Sequence, residues 1–448
     1  MGASMLNRSV KFIEAQVTSG VALRIRASWD YWLFVTKRVW PLGAATTGVV
    51  IGAVAFGSTQ LAFALSIIAL IIALVVLVLD SRVARKQWSR HTSLATTPFP
   101  TGVKMPLGYE KAMRLHFEDR GTMLVDPCID QALQADPMPV KLDPTPYRLP
   151  ANLRDLAPVA IRTIRNGTRL IWDGPVLGLR DDPLPEVSGE SRPLRLIRTS
   201  FFKQVCSAEL CQYEINDHTT HHKIDVRSQE LIDPSNRLVT LAASRLANVI
   251  GISTLAFTDD NYLLAVHQSP RNLASGKRYA PSGSGSLEPR DLDASHSGQD
   301  STPSLVDVLK HGMERELHEE TGIDAQDIRE TQVVGFGRWL ERGAKPEFFA
   351  MTRLRIRQAD FTATKISSGE RLFSEGVVPI FVDLPRLRQE LADGVSIDEA
   401  PSFPPELLGS ASLPLIVGLR AVALNGGERP DTTGQLAHYR KWRVSSLA

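Results

Sequence analysis

The sequence predicts an α/β body with a mixed sheet, preceded by an N-terminal pair of transmembrane helices. Three observations carry this. No charged residue occurs between Arg38 and Asp80. A strand pair, a Gly-rich stretch and a helical pattern follow one another between residues 252 and 321. A second strand pair, "TQVVGFGRWLERGAKPEFFAMTRLRI", follows at residues 331 to 356 with "RGAK" near its turn.

As one helix the uncharged run would extend about 60 Å, twice the hydrocarbon thickness of a bilayer, so it is read as two spans. The break falls at "GSTQ", residues 57 to 60. Basic residues resist translocation, and both flanks are basic: Arg24, Arg26, Lys37 and Arg38 before the run, Arg82, Arg85, Lys86 and Arg90 after it. The connecting turn carries no charge. Both termini and the soluble body are therefore expected in the cytoplasm, with a lipid bilayer as partner. Trp29, Tyr31, Trp32, Phe34 and Trp40 stand where an interfacial belt belongs, so residues 1 to 38 read as a juxtamembrane segment lying along the surface.

With 51 Lys+Arg against 49 Asp+Glu the charges nearly cancel. No nucleic acid polymer is expected as a partner, because such binding needs a basic field. A homo-oligomer is compatible with this composition. Cys128, Cys206 and Cys211 make no disulfide framework and suit a reducing compartment. "DHTTHH", with His218, His221 and His222, has zinc-like spacing but lacks a second ligand pair.

Beyond a Pro- and Thr-rich linker near residues 91 to 106, the proline-rich residues 135 to 158 are expected to be irregular. "TRLIWDGPVLGLRDD" and "PLRLIRTSFF" read as short strands. "LVTLAASRLANVIG" reads as a helix ended by Gly251. "ISTLAFTDDNYLLAVHQS" is a hairpin, since Asp259, Asp260 and Asn261 are turn residues. Next comes a Gly- and Ser-rich loop containing "SGSGS", then a helix from about Ser304 to Thr321.

On that helix Leu305, Val308, Leu309, Gly312 and Met313 form one apolar stripe. Glu316 continues the stripe, with Glu319 and Glu320 on either side. Three carboxylates there meet mutual repulsion, desolvation and the negative end of the helix dipole. A hard divalent cation such as Mg²⁺ or Mn²⁺ would offset all three. Arg315 could neutralise one carboxylate and fix its rotamer.

"RELHEETGI", Arg315 to Ile323, resembles the core of the Nudix box, R-E-U-x-E-E-x-G-U with U aliphatic, at every specified position. The full box begins earlier, with a glycine, five residues, a glutamate and seven residues before the arginine. At that spacing this sequence has Ser301 for the glycine and Asp307 for the glutamate. A short insertion is read between "SGSGS" and the helix.

The resemblance implies a Nudix-type α/β/α sandwich and water attack on the pyrophosphate of a nucleoside diphosphate derivative. It implies that Glu316, Glu319 and Glu320 bind Mg²⁺ or Mn²⁺. Glu316, Arg315 and Glu320 are the expected catalytic group. Glu316 can serve as base as well as ligand, with Glu341 and Glu347 as other candidates. Gly283 and Gly285 would let backbone amides approach a nucleotide-type diphosphate, or form a merely flexible loop. Arg271 and Lys345 could hold its phosphates or be simply exposed, and Glu347 is placed on the substrate side too.

The organisation is then a juxtamembrane segment (1–38), a transmembrane hairpin (39–80), a basic flank and linker (81–104), an N-terminal extension of the soluble domain (105–249), a Nudix core (250–360) and a C-terminal extension (361–448). The expected function is a membrane-anchored Nudix pyrophosphohydrolase. The alternative is a nucleotide-sensing, weakly catalytic or non-catalytic Nudix-like domain controlling a two-span membrane effector. Topology is directly testable. Reporter fusions at residues 58 and 100 should place only the former outside the cytoplasm, and an external signal from both would exclude the hairpin.

Overall fold

Two neighbouring strands, β9 (Gly251–Phe257) and β14 (Lys345–Leu354), run parallel at the middle of the main sheet and sort its core by alternation. Ile252, Phe348 and Ala350 pack on one side with Leu305, Val308, Leu309 and Met313. Leu255, Phe257, Phe349 and Met351 pack on the other with Leu415, Leu419 and Val422. The computed structural model describes residues 93–135, 138–166, 171, 173–185, 192–218, 220–269, 276–295, 302–361 and 374–426, with Asp30, Phe34, Ile71 and Arg82. The spans expected at 39 to 80 lie outside the described residues except at Ile71. Among the described residues no helix is long and apolar enough to cross a membrane.

In chain order the remaining strands are β1 (Ser93–Thr96), β2 (Met113–Phe117), β3 (Gly121–Val125), β4 (Val140–Leu142), β5 (Pro175–Leu179), β6 (Leu194–Ser200), β7 (Tyr213–Asn216), β8 (Lys223–Asp225), β10 (Tyr262–Gln268), β11 (Tyr279–Ala280), β12 (Gly283–Ser286), β13 (Ile328–Trp339) and β15 (Ser374–Phe381). The helices used below are α1 (Pro127–Ala135), α2 (Ala151–Asn166), α3 (Pro289–Ser295), α4 (Leu305–Thr321), α5 (Leu384–Ala392) and α6 (Leu413–Asn425). The nine-stranded sheet runs β11-β10-β9-β14-β13-β3-β2, with β12 paired to β9 and β15 to β10. Helices α4 and α6 cover its two faces, the layering that the motif's resemblance implies. Strands β2 and β3 come from the 105–249 extension and β15 from the C-terminal one, so both extensions complete this sheet. Two three-stranded sheets, β1-β7-β8 and β4-β6-β5, lie apart from it.

Helix α4 starts where Ser304 accepts from the Asp307 N–H at 3.1 Å while its hydroxyl donates to the Asp307 carboxylate at 2.6 Å. It ends at Gly322, left-handed at φ 75°. The β9–β10 hairpin turns at Asn261, also left-handed.

Three expectations are corrected. Residues 238 to 250 form turns and extended chain rather than a helix, and Gly251 opens β9. There the buried Asn248 carries φ 46° and bonds Ser244 and the Leu241 carbonyl, so local side-chain hydrogen bonds displace the helical ladder. The "SGSGS" stretch is an ordered strand, β12, rather than a loop. The proline-rich segment contains β4 and the start of α2, which carries Pro158 inside it.

Buried charges tie the extension to the sheet. Fully buried Arg338 donates to the carbonyls of Val239 and Ala344 at 2.8 and 3.1 Å and lies 3.7 Å from Asp182, which accepts from the Tyr109 hydroxyl at 2.7 Å. Arg342 grips Glu209 through Nε at 2.8 Å. Near the predicted membrane segment, the Asp173 N–H donates to Asp30 at 3.2 Å and Phe34 meets Phe202 edge-on at 5.4 Å.

Asp130 of α1 is buried beneath a bulge in β13, accepting from the Phe336 N–H at 2.8 Å and from Asn425 at 3.5 Å. Burial pushes its carboxyl up to about 7. A carboxyl raised above its unfolded value binds its proton preferentially in the folded chain. Its stabilising contribution is therefore present at acid pH and lost as pH rises through about 7. Asp130→Asn should remove this dependence: between about pH 6 and 8 the wild type should lose roughly 1.4 kcal/mol more than the variant in denaturant titrations. Identical pH slopes would remove Asp130 as the cause.

Candidate active site

The site is built where β12 lies against the last two turns of α4, and two glycines permit the contact. A Cβ on Gly283 would stand 2.5 Å from the backbone nitrogen of Leu317, and one on Gly285 would stand 2.0 Å from Glu316 Oε1. These glycines therefore let strand and helix meet.

Arg315 organises the carboxylates. Its Nε and Nη2 donate to the two Asp291 oxygens at 2.8 and 3.0 Å. Its Nη1 reaches Glu316 Oε1 at 2.8 Å and Glu319 Oε2 at 3.3 Å, and Nη2 also reaches the Ser286 carbonyl at 3.1 Å. Burial alone would lower its pKa, but its hydrogen bonds to Asp291 and the charges of Glu316 and Asp291 outweigh that and raise it. Glu319 accepts from Arg290 through its other oxygen at 3.0 Å, and Arg290 also pairs with Glu288 at 2.7 Å. Glu320 accepts from the Ser284 hydroxyl at 3.4 Å.

Burial differs from the phase expected of the helix. The apolar stripe continues through Leu317 and Glu320, both buried, while Glu316 and Glu319 are half-buried. The reason is local: β12 covers the helix along Glu316 and Leu317, and Leu317 turns into a small cluster with Ala256, Leu264, Ile323 and Leu354.

The leading half of the box is also corrected. Asp307 is a helix-start residue bonded to Ser304, and Ser301 lies outside the described residues. Gly285, five residues and Asp291 reproduce the glycine-to-acid spacing, and Asp291 is the partner of Arg315. Residues 292 to 314 then separate Asp291 from Arg315, where the pattern has seven. A longer insertion than expected thus follows the acid. Asp291, Arg290, Glu288 and Ser284 were missed by sequence reasoning. Only the Gly285-to-Asp291 spacing could have shown the first of them.

Other expected residues are placed elsewhere. Lys345 and Glu347 are buried and paired with each other, so Lys345 is not a phosphate-facing cation. Burial lowers the Lys345 pKa, against the opposing charge of Glu347. In register, Phe348 pairs with Ile252 on the α4 side, so Glu347 faces the opposite side of the sheet from α4. Glu341 accepts from the Thr122 N–H at 2.8 Å and anchors β3. Arg271 lies outside the described residues.

The donor set suits Mg²⁺ or Mn²⁺ in hardness and charge: three carboxylates within five residues of one helix, with Gly285 leaving the room that Glu316 fills. Among the described residues no three His, Cys, Asp or Glu side chains stand grouped to hold a metal. Arg290 and Arg315 take oxygens of Glu316 and Glu319 that a cation would share or displace.

No known protein-family description and no curated protein matches the chain by sequence. Among solved structures, it is similar to a protein of Deinococcus radiodurans at 14% identity and TM-score 0.21, over 43% of this chain and 96% of that one. It is similar to a Nudix hydrolase from Nitrosomonas europaea at 14% identity and TM-score 0.23, over 38% and 85%. A Nudix hydrolase from M. smegmatis matches at 13% identity and TM-score 0.20, over 44% and 85%.

The two glycines predict different outcomes. Gly285→Ala should push only the Glu316 carboxylate aside, leaving the melting temperature of the metal-free chain nearly unchanged while reducing its rise on adding Mn²⁺. Gly283→Ala meets backbone and should cost about 1–3 kcal/mol with or without Mn²⁺. An undiminished Mn²⁺ response in Gly285→Ala would move the cation away from Glu316.

Proposed function

We propose that the chain is a membrane-anchored, Mg²⁺- or Mn²⁺-dependent hydrolase of the Nudix type, cleaving the pyrophosphate of a nucleoside diphosphate derivative in the cytoplasm. The observation that carries this reading is the "RELHEETGI" helix end. There Glu316 and Glu319 share Arg315, Glu320 accepts from Ser284 of the glycine strand, and Arg315 is bound to Asp291. Glu316, Glu319 and Glu320 would hold the cation, which when bound neutralises phosphate oxygens and lowers the pKa of the attacking water.

The chain's own residues divide the remaining work. Asp291 and Arg315 fix the end of α4 relative to β12, so that the carboxylates keep one arrangement as substrate arrives. Glu316, half-buried beside Gly285, accepts the proton of the attacking water. The uncharged run at 39 to 79 and its basic flanks support the anchor.

One observation favours the alternative, a nucleotide-sensing domain that drives the paired spans. Both oxygens of Glu319 are held by arginines, so this carboxylate is compensated without a cation. The full chain, purified in detergent with Mn²⁺, should hydrolyse at least one of a set of nucleoside diphosphate sugars, dinucleoside polyphosphates, dinucleotide cofactors and nucleoside triphosphates. Glu320→Gln should reduce that turnover by about a hundredfold or more at an unchanged melting temperature. If nothing is cleaved while one compound raises the melting temperature, the sensing domain is the better account.

A further inference from the structure

The chain on either side of the uncharged run at 39 to 79 is seated on one part of the body. Before the run, Asp30 and Phe34 are both helical and stand four residues apart, so their side chains share a face. The Asp173 N–H donates to the Asp30 carboxylate at 3.2 Å, and the Phe34 ring meets the fully buried Phe202 ring edge-on at 5.4 Å. Asp173 and Phe202 are themselves joined, because the Asp173 carboxylate accepts the Phe202 N–H at 2.9 Å.

After the run, β1 pairs antiparallel with β7, Ser93 opposite Asn216 and Thr96 opposite Tyr213. The Thr97 N–H extends this pairing to the Gln212 carbonyl at 3.0 Å. Buried Arg227 grips the next residues. Its Nη2 donates to the Thr97 carbonyl at 2.7 Å and to the Thr97 hydroxyl at 3.0 Å, its Nη1 to the Pro98 carbonyl at 2.5 Å, and its Nε to the Cys211 carbonyl at 2.9 Å. Residues 202 to 216 thus meet both flanking segments. They are also tied to the main sheet, since Arg342 donates to Glu209 at 2.8 Å and a Cβ on Gly343 would stand 2.6 Å from the Ala208 Cα.

This limits the path of the run. A chain that crossed a bilayer once between Phe34 and Ser93 would leave them on opposite sides of about 30 Å of hydrocarbon, and they could not both bind one body. Both do, so the number of crossings is even, whatever the flanking charges. Resting on the membrane-anchored reading above, we propose that the 105–249 extension is the seat of the run: Asp173, residues 202 to 216 and Arg227 hold the chain just before and just after it, so that it leaves from and returns to one side of the body.

The experiment is pulsed electron spin resonance on the full chain in phosphatidylcholine bilayer discs, with nitroxides on introduced cysteines; Cys128, Cys206 and Cys211 are buried. The label pairs are Arg38→Cys with Arg90→Cys, Arg38→Cys with Asp155→Cys, and Arg90→Cys with Asp155→Cys, Asp155 being an exposed position of α2. Each pair should give one narrow distance peak, with Arg38 and Arg90 closer than about 30 Å, the hydrocarbon thickness. Phe34→Ala should cost the Arg38–Asp155 pair its narrow peak and leave the Arg90–Asp155 pair unchanged, whereas Phe34→Leu should retain both. Phe34 is only half-buried, and the unchanged Arg90–Asp155 peak reports that the body of the variant is folded. The seat is overturned by a broad distribution for either Asp155 pair in the parent chain, by an unaltered Arg38–Asp155 peak in Phe34→Ala, or by an Arg38–Arg90 separation above about 30 Å. Failure of the anchor reads differently: alkaline carbonate then strips the chain from vesicles while the narrow peaks persist in detergent, and the seat stands without the bilayer.

Discussion

A guanidinium bound on several sides sets the geometry of the helix end on which the candidate active site rests. Three carboxylates at the negative end of a helix dipole repel one another, and without compensation they would splay or fray the last turn. Arg315 draws Glu316 and Glu319 together while its remaining donors hold Asp291 and the Ser286 carbonyl. Asp291 is itself fixed, because it is buried and accepts from the Glu288 N–H at 2.8 Å. One side chain thus fastens α4, α3 and β12 to each other. A lysine could not replace it, since a compact ammonium lacks the planar fork that matches Asp291 with two bonds.

The same hairpin that supplies the sheet's central strands also consumes its basic residues internally. Arg338, Arg342 and Lys345 are bound to Asp182, Glu209 and Glu347, and all six are buried or nearly so. Buried pairs of this kind add little net stability, but removal of one partner leaves an uncompensated charge and costs about 3–5 kcal/mol. Their effect is to specify one docking of the extension against the sheet, since Asp182 and Glu209 both come from residues 105 to 249.

That distinction also explains how far the sequence could be read. The β9–β10 hairpin, the turn at "RGAK" and helix α4 with its C-terminal glycine follow from local signals: turn residues, helical periodicity and a terminal glycine. Lys345 looked like a ligand for phosphate because nothing local marks a lysine for burial; Glu347, two residues on in the same strand, faces it only once β14 has formed. The helix expected at residues 238 to 250 failed for a similar reason. Its apolar residues Leu238, Leu241, Leu246 and Ala247 are all buried, but in turns moulded by contacts from other segments. Asp291 was hidden by spacing: with residues 292 to 314 intervening, a fixed count back from Arg315 lands on Asp307 and Ser301.

The intervening residues do more than obscure the motif. Counting seven residues back from Arg315 reaches Val308, whereas α4 begins at Leu305 under its own Ser304 cap. The added start carries Val306, and with Lys310 one turn later it lines a surface cleft beside β13. Ser304 and Asp307 exchange hydrogen bonds at this start, so the longer helix is closed there rather than frayed. A change that breaks a short pattern in the sequence therefore appears in the fold as a longer helix with its own cap. Its last turns carry the carboxylates against β12, and its added first turn packs Leu305 into the core shared with Ile252 and Phe348.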